Sequence, residues 1–407
     1  MDNRPTVLCI AGAVIGRPFM IYAKQMGWRV LVMTTAKSLD QAWPRDHVDD
    51  VFAVPDLFDE KVVKNVVSYL ARSRRIDRVV PMGDFEVDVA CMLREHLRLP
   101  GMGETTMHYF RDKLAMRMKA QEDGIPVPDF VHILNYDELN AYLNRVPGPW
   151  ILKPRMEAAS FGIKKINHPQ ELWDRLNELG DKQSGYLLEK FTPGDVYHVD
   201  SVVSESEVVF ASASKYGKPM LALNQDGGVY TTRTIKRGTA EEKALQKLNK
   251  EVIKSLGLVR GVTHIEYIKS EADGKFYFLE AGARVGAARI PDVIYRASDI
   301  CLWHEWARLD LSGKDLAKYD LPGHGEPYKL PKTRKDYAGV IVTLAQQEHP
   351  DMSSYNDPEV VWVQKKKYHA GLVVQSPDPA RVEQLLEQYA QRFAQDFMAH
   401  VPLKANA

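Results

Sequence analysis

The chain has 407 residues, of which 45% are hydrophobic and 27% are charged, with 54 basic and 54 acidic side chains. This balance gives no electrostatic reason to expect nucleic acid or an anionic membrane as a partner. No apolar run reaches the roughly 18 residues of a membrane-spanning helix, and the N-terminus lacks the pattern of a signal peptide. Cys9, Cys91 and Cys301 lie far apart, which predicts reduced thiols in a cytoplasmic protein of several domains.

The first hundred residues predict alternating strands and helices. Apolar runs mark strands at residues 6–13, 29–35, 51–55 and 78–82, and helices are predicted at 59–74 and 84–97 among others. Such alternation is typical of a Rossmann-like parallel sheet. The turn after the first strand has Gly12 and Gly16 in a GxxxG spacing instead of GxGxxG. We therefore interpret it as a tight turn with close helix packing, since the dinucleotide signal is weak.

A helix over residues 107–122 and an extended proline segment follow a first domain boundary near residues 99–104. The chain then becomes rich in strands, and the run DSVVSESEVVFASAS predicts an antiparallel hairpin that turns at residues 204–206. A helix over 240–256 precedes the two strands GVTHIEYI and KFYFLEAGAR. The last region adds two strands and a helix over 378–399, whose apolar face is expected to pack against the rest of the protein.

The stretch PWILKPRMEAASFG combines an apolar strand, Lys153 at its end, and a loop of small residues that includes Ser160 and Gly162. A loop with few side chains lets backbone N–H groups approach an anion, and a neighbouring lysine adds a point charge. The order of residues does not match a Walker A loop. By itself the stretch leaves both a surface lysine and a phosphate site open.

Two further features favour an anion site. Lys113 stands at the head of a helix, and Glu266 and Glu280 lie inside two consecutive apolar strands. Two carboxylates that face one cleft repel each other unless a cation lies between them, and oxygen ligands of this kind suit Mg²⁺. Either glutamate alone is better explained by a salt bridge.

Taken in order, these features resemble the ATP-grasp superfamily over about residues 5–310. They are a helix lysine, a strand lysine with a small loop, the strand LLEKF, and paired glutamates followed by an arginine. The resemblance implies an α/β and α+β multidomain fold. It begins with a Rossmann-like pre-ATP-grasp domain (residues 1–104), followed by the two ATP-grasp subdomains (105–190, and 191–325 with the metal site) and a small C-terminal α+β unit (326–407).

The resemblance also implies roles for basic and small residues. Lys113 and Lys153 would hold the phosphates of ATP, and the loop at 158–162, with Ser160 and Gly162, would fold over them. Arg284 would bind the transferred phosphate or the acyl phosphate. Arg289 follows a glycine-containing turn at the expected carboxylate site, where a carboxylate substrate needs a basic partner.

For the nucleoside, the resemblance places Glu189 and the backbone of Lys190 and Phe191 against adenine. The usual ribose-binding glutamate of the PGxE pattern is replaced here by a valine, so Asp195 or Asp200 is expected to take its place.

For the metal, the resemblance makes Glu266 and Glu280 ligands of Mg²⁺, with Mn²⁺ as an alternative ion. The asparagine that usually supplies a third ligand is Gly282 in this chain.

The predicted function is ATP-dependent joining of a small carboxylate, an amino acid, to an amine through an acyl phosphate, as in carboxylate–amine ligases and L-amino acid ligases. The expected partners are these small molecules, with a homodimer as a candidate assembly. A biotin carboxylase-like reaction is less favoured because the loop at 158–162 has one glycine. A non-catalytic nucleotide-binding protein stays open, and an NAD-dependent oxidoreductase lacks its glycine fingerprint.

Overall fold

The computed structural model describes residues 4–158, 160–219, 221, 223, 227–319, 321 and 326–399. Among these residues, no helix combines the length and the apolar character needed to cross a membrane. The described residues also form short 3₁₀ helices at Ala36–Ser38, Arg45–His47, Gly180–Gly185 and Lys314–Leu316.

The N-terminal part is a four-stranded parallel sheet with the order β3-β2-β1-β4. Its elements are β1 (Thr6–Ile10), α1 (Arg17–Gln25), β2 (Arg29–Thr35), β3 (Asp50–Val54), α2 (Glu60–Ala71), β4 (Arg78–Pro81) and α3 (Glu86–Leu97). Every residue of β1 is buried, as expected for a strand covered on both faces. The predicted strands and helices of this part are confirmed.

The glycine turn after β1 is occupied by protein groups. The N–H of Gly12 donates to Oε1 of Glu86 at 2.7 Å, and a Cβ at Gly12 would lie 2.8 Å from the same oxygen. In a dinucleotide-binding turn, a phosphate of the ligand would accept an N–H group of this kind. Here the carboxylate of Glu86 accepts the N–H of Gly12 instead. The interpretation as a structural turn is supported.

The single helix predicted over residues 107–122 is wrong, because the chain forms two helices there. They are α4 (Glu104–Arg111) and α5 (Lys113–Glu122). Asp112 between them is extended, with φ −93° and ψ 108°, and its side chain accepts the N–H groups of Leu114 and Ala115. An aspartate that caps the second helix in this way competes with continuation of the first.

A second four-stranded sheet has the order β5-β8-β6-β7. Its strands are β5 (Phe130–His132), β6 (Trp150–Pro154), β7 (Lys164–Ile166) and β8 (Tyr186–Lys190), and its helices are α6 (Tyr136–Arg145) and α7 (Pro169–Leu179). The polar strand β7 was not predicted, because two of its three residues are exposed lysines and it carries no apolar pattern.

The largest sheet has eight antiparallel strands in the order β13-β12-β9-β10-β11-β14-β16-β15. They are β9 (Gly194–Ser204), β10 (Glu207–Tyr216), β11 (Tyr230–Thr234), β12 (Gly261–Ser270), β13 (Phe276–Gly282), β14 (Tyr337–Leu344), β15 (Val360–Val363) and β16 (His369–Ser376). The predicted hairpin is confirmed as β9 and β10. Because β11 pairs with β14, this sheet runs across the domain limit that was predicted between residues 325 and 326.

The helices that pack on this sheet are α8 (Ala240–Leu256), α9 (Ile290–Ser298), α10 (Leu302–Asp310) and α11 (Pro379–Asp396). One face of the sheet packs with α5 and α8 around Ile265 and Tyr267. The other face carries Val262, Ile268 and the alternate residues of β12 between them, and it packs with α9, α10 and the N-terminal sheet. We call this second face, which carries His264 and Glu266, the cleft face.

Candidate active site

The two predicted metal-ligating glutamates lie side by side. Glu266 of β12 is directly opposite Glu280 of β13, and residues opposite each other on antiparallel strands point to the same face of a sheet. The side chains are 24% and 32% exposed, respectively. Two partly exposed carboxylates at paired positions of neighbouring strands are a donor set that fits Mg²⁺.

The third ligand that the resemblance implies has no counterpart at residue 282. Gly282 is opposite His264 in the register, and a Cβ at this position would lie 3.4 Å from Nε of Arg284. A guanidinium therefore occupies the space beside the glycine, and the described site offers two carboxylates to a cation.

Lys113 connects Glu280 to the loop after β6. Its amine lies 2.9 Å from Oε1 of Glu280 and donates to the carbonyl of Glu157. The side chain is only 5% exposed because Lys113 is the first residue of α5, which the Asp112 cap fixes against the end of β6. The structure thus brings a predicted phosphate ligand to a predicted metal ligand.

Lys153 is buried in a cluster of charges. Its Nζ lies 2.5 Å from Oε1 of Glu189, and Oε2 of Glu189 lies 3.0 Å from Arg117. All three side chains are at most 6% exposed. A surface lysine would keep its amine in water. The amine of Lys153 is buried instead.

The charges of this cluster oppose one another. Burial and the guanidinium of Arg117 lower the pKa of Lys153 to about 8, although the charge of Glu189 raises it. Burial raises the pKa of Glu189, but its two cationic partners outweigh burial and the net pKa is lowered. Two buried cations share one carboxylate, so the site has unbalanced positive charge that an anion would neutralise.

Asp84, Arg111 and Arg284 form a second cluster, in which sequence reasoning found only Arg284. Asp84 lies 3.5 Å from Nε of Arg284 and 3.6 Å from Arg111. Burial raises the pKa of Asp84, but Arg284 and Arg111 outweigh it and the net pKa is lowered. Asp84 follows β4, and the carboxyl ends of parallel strands commonly form ligand sites, so this position in the N-terminal sheet was a usable signal.

The predicted small-residue loop lies next to these clusters. The carbonyls of Met156 and Glu157 accept hydrogen bonds from Arg111 and Lys113. Beyond them, Ser160 and Gly162 adopt the left-handed region with φ of 57° and 71°, while Ala159 lies outside the described residues. The entry to the loop is thus held by the same arginine and lysine that approach the acidic residues.

The adenine contact predicted for the backbone of Lys190 and Phe191 stays a prediction, and the structure limits which of their groups are available for it. Their N–H groups donate to the carbonyls of Asp129 at 2.8 Å and Pro149 at 3.0 Å. These donors are already used within the sheet β5-β8-β6-β7, so this backbone can offer adenine only its carbonyl oxygens. Glu189 also lies in the Lys153 cluster, where both its carboxylate oxygens have cationic partners.

The contacts of Asp195 and Asp200 do not favour the ribose role, which stays a prediction for both aspartates. Asp200 is fully buried, and its two oxygens accept from Nδ1 of His198 at 2.6 Å and Nδ1 of His264 at 2.9 Å. Asp195 is opposite Lys269 in the register, whereas the next residue of β9, Val196, is opposite Ile268 on the cleft face. The carboxylate of Asp195 pairs with Lys215 at 2.6 Å. Side chains alternate between faces along a strand, so Asp195 points to the face opposite Glu266.

Arg289 lies at the start of α9 and is exposed. Its guanidinium lies 4.2 Å from the ring centre of Trp362 and 3.3 Å from Oε1 of Gln364. Its guanidinium also lies 3.5 Å from Oδ2 of Asp292 on α9. Among the described residues, no ion pair joins Arg289 to Glu266 or Glu280. Its role toward a carboxylate substrate stays a prediction.

The family model of the ATP-grasp domain matches residues 146–292. This segment contains Lys153, Glu189, Glu266 and Glu280, and the predicted resemblance to the ATP-grasp superfamily is confirmed. The mixed α/β architecture is that of known ATP-grasp proteins. A crystal structure of L-amino acid ligase from Bacillus licheniformis has a TM-score of 0.73, with 17% identity over 98% of this chain and 99% of that one.

Two curated relatives are similar in sequence. An L-arginine-specific L-amino acid ligase of Bacillus subtilis is 26% identical over 271 residues, which is 63% of this chain and 62% of the relative. A D-alanine–D-alanine ligase of Neisseria gonorrhoeae is 23% identical over 188 residues, or 46% of this chain and 61% of the relative. Each alignment thus spans less than two thirds of the relative's length.

Proposed function

We propose that this protein is an ATP- and Mg²⁺-dependent ligase that activates a small carboxylate, an amino acid, and joins it to an amine. The observation that carries the proposal is the placement of Lys113, which joins Glu280 to the loop after β6. A buried cation that contacts both elements supports a site for a metal–phosphate complex. The names of the similar ligases support the same reaction class.

The cations of the site would bind ATP through its phosphates. Lys153 shares Glu189 with Arg117, and a triphosphate would relieve the repulsion between these two cations. Lys113 would exchange part of its contact with Glu280 for a phosphate oxygen. Preorganised cations of this kind stabilise the charge that moves during phosphoryl transfer.

In the first step, a carboxylate oxygen of the substrate attacks the γ-phosphorus and ADP leaves, which gives an acyl phosphate. In the second step, the neutral nitrogen of the amine attacks the carbonyl carbon, the amine loses a proton, and phosphate leaves with the former carboxylate oxygen. Arg284 would hold the acyl phosphate after exchange of its contact with Asp84. The loop at 158–162 would exclude water that hydrolyses the intermediate.

Glu266 and Glu280 would hold the divalent ion, and Mn²⁺ is expected to replace Mg²⁺. When bound, this ion would neutralise charge on the phosphate oxygens. Within this proposal, the N-terminal parallel sheet is the pre-ATP-grasp domain, the sheet β5-β8-β6-β7 is the first ATP-grasp subdomain, and the eight-stranded sheet holds the second one together with the C-terminal strands. A cytoplasmic location and a homodimer stay predictions.

An isotope experiment that traces the carboxylate oxygen of the substrate tests the proposal. Pools of L-amino acids labelled with ¹⁸O in the carboxylate are incubated with Mg-ATP and the protein, and ADP, phosphate and condensed products are measured by mass spectrometry. A ligase with an acyl phosphate transfers one carboxylate oxygen to the released phosphate for each amide bond formed. Label in the phosphate together with a dipeptide or other amide is the expected result.

Two variants control this experiment. Glu280→Gln removes a charged ligand at nearly constant volume and should abolish both products, while Asp195→Asn changes a carboxylate on the opposite face and should leave both unchanged. ATP cleavage without labelled phosphate in every pool would contradict an acyl phosphate. Tight ATP binding without ADP formation would instead favour the non-catalytic alternative.

A further inference from the structure

Three polar residues form a buried array on the cleft face. Asp200 accepts hydrogen bonds from Nδ1 of His198 and Nδ1 of His264, and Nε2 of His198 lies 2.8 Å from Oγ1 of Thr232. His198 and Asp200 are fully buried and His264 is 7% exposed. Because buried polar groups are costly unless hydrogen-bonded, this array needs an explanation beyond packing.

The array ends at the metal site. Nε2 of His264 lies 3.4 Å from the hydroxyl of Tyr216 and 3.6 Å from Oε1 of Glu266. The hydroxyl of Tyr216 donates to the same oxygen, Oε1 of Glu266, at 2.8 Å. One oxygen of the glutamate is thus approached by His264 of the same strand, β12, and by Tyr216 of β10, which lies beyond β9 in the sheet. No described hydrogen bond involves its second oxygen, Oε2.

A metal ion bound by the array itself is the alternative explanation. One ligand atom from each of His198, Asp200 and His264 lies within 4.8 Å of the others. However, each imidazole contacts a separate oxygen of Asp200 at hydrogen-bond distance. In addition, Gly286 closes the array, since a Cβ there would lie 2.9 Å from Oδ1 of Asp200 and 3.1 Å from Nδ1 of His264. Direct hydrogen bonds therefore describe the array better than a bound ion.

We propose that Tyr216 and His264, held in place by Asp200, are positioning residues for Glu266. They hold Oε1 so that Oε2 is presented to the divalent cation as a single, oriented ligand. This inference rests on the proposed function, because it takes Glu266 as a metal ligand. Groups that orient a metal ligand in this way typically change metal affinity or activity by about 10- to 100-fold when they are removed.

Tyr216→Phe tests the inference, because it removes one hydroxyl and keeps the ring. Tyr230→Phe is the matched control, since its ring centroid lies 6.0 Å from that of Tyr216 and its hydroxyl has no hydrogen-bond partner among the described residues. Binding of Mn²⁺ is measured by electron paramagnetic resonance in the presence of a non-hydrolysable ATP analogue. The Mn²⁺ dissociation constant is expected to rise about tenfold in Tyr216→Phe and to stay unchanged in Tyr230→Phe.

Kinetics provide a second readout. The Mg²⁺ concentration for half-maximal activity should rise in Tyr216→Phe, while the rate at saturating Mg²⁺ changes much less. Asp200→Asn should move the Mn²⁺ dissociation constant in the same direction if the variant folds. Equal Mn²⁺ affinity in Tyr216→Phe and Tyr230→Phe would overturn the inference.

Glu266→Gln separates this inference from the proposed function. If Glu266→Gln weakens Mn²⁺ binding but Tyr216→Phe does not, the metal site stands and the positioning role is wrong. If Glu266→Gln also binds Mn²⁺ like the unmodified protein, Glu266 is not a ligand, and both this inference and the metal site of the proposed function fail.

Discussion

Replacement of Lys153 by methionine should leave the fold intact while it weakens ATP binding. The methionine side chain matches most of the lysine stem and deletes the charge. Glu189 keeps Arg117 as a partner at 3.0 Å, so no unpaired buried carboxylate results. This distinguishes the change from the usual loss of a buried ion pair, which leaves one charge uncompensated.

The expected effect on stability follows from the pKa of the amine. Its value of about 8, against an ordinary 10.5, means that the folded protein holds the charged amine at a net free-energy cost on the order of 3 kcal/mol at pH 7. Because the folded pKa is depressed, the unfolded chain binds more protons between these two pH values, and the stability of the unmodified protein rises with pH across that window. Lys153→Met should therefore be as stable as the unmodified protein or more stable at pH 7, and the difference should shrink toward pH 10.5.

The expected effect on function has the opposite sign. A triphosphate supplies the negative charge that compensates the buried amine, so ATP affinity should fall in the variant. Turnover should fall by roughly 10²-fold or more, as is typical for loss of one preorganised charged group. The structure thus predicts a residue that costs stability and serves binding, a trade that is common at functional sites.

The assay combines urea unfolding at pH 7 and pH 10 with calorimetric ATP binding and turnover. Lys119→Met, which removes an α5 amine that pairs with Asp123 just after the helix, is the matched control and should retain ATP affinity and turnover. A loss of more than about 3 kcal/mol of stability in Lys153→Met at pH 7, a typical cost of breaking a structural buried pair, would refute this reasoning. So would unchanged ATP affinity.

Two further predictions concern the same region. ATP binding should raise the pKa of Lys153. Near pH 8, where the amine is half charged in the free protein, ATP binding should therefore take up about half a proton. Calorimetry in two buffers of different ionisation enthalpy measures this uptake, which Lys153→Met should lack; equal uptake in both proteins would assign the proton to another group. Gly162→Ala should reduce turnover more than ATP affinity and should cost about 1–2 kcal/mol of stability, because φ of Gly162 is +71° and the new Cβ would lie 2.9 Å from Cγ of Pro154. Gly185→Ala is the control, since a Cβ at Gly185 meets nothing within 4 Å. Equal stability and turnover of the two alanine variants would argue against a strained turn at Gly162.

Local patterns in the amino-acid sequence were enough to predict most individual strands and helices and the order of the charged residues along the chain. Buried strands such as β1 appear as apolar runs, and the hairpin of β9 and β10 appears as two alternating runs around a polar turn. The spacing of Glu266 and Glu280 across a short connection also indicated that they would be neighbours, since consecutive antiparallel strands usually pair. These features depend on interactions between residues close in sequence, which a pattern can show.

The tertiary structure decided which charges meet and which face of the sheet they share. Asp84 meets Arg284 only because the N-terminal sheet packs on the cleft face, and Tyr216 reaches Glu266 across two intervening strand pairings. Asp195 and Asp200 both lie on β9, yet the register places Asp195 on the face opposite Glu266 and buries Asp200 between two histidines. A shift of one residue in register reverses every side chain of a strand, and pairing between distant segments follows from the packing of the whole chain, which local patterns do not contain.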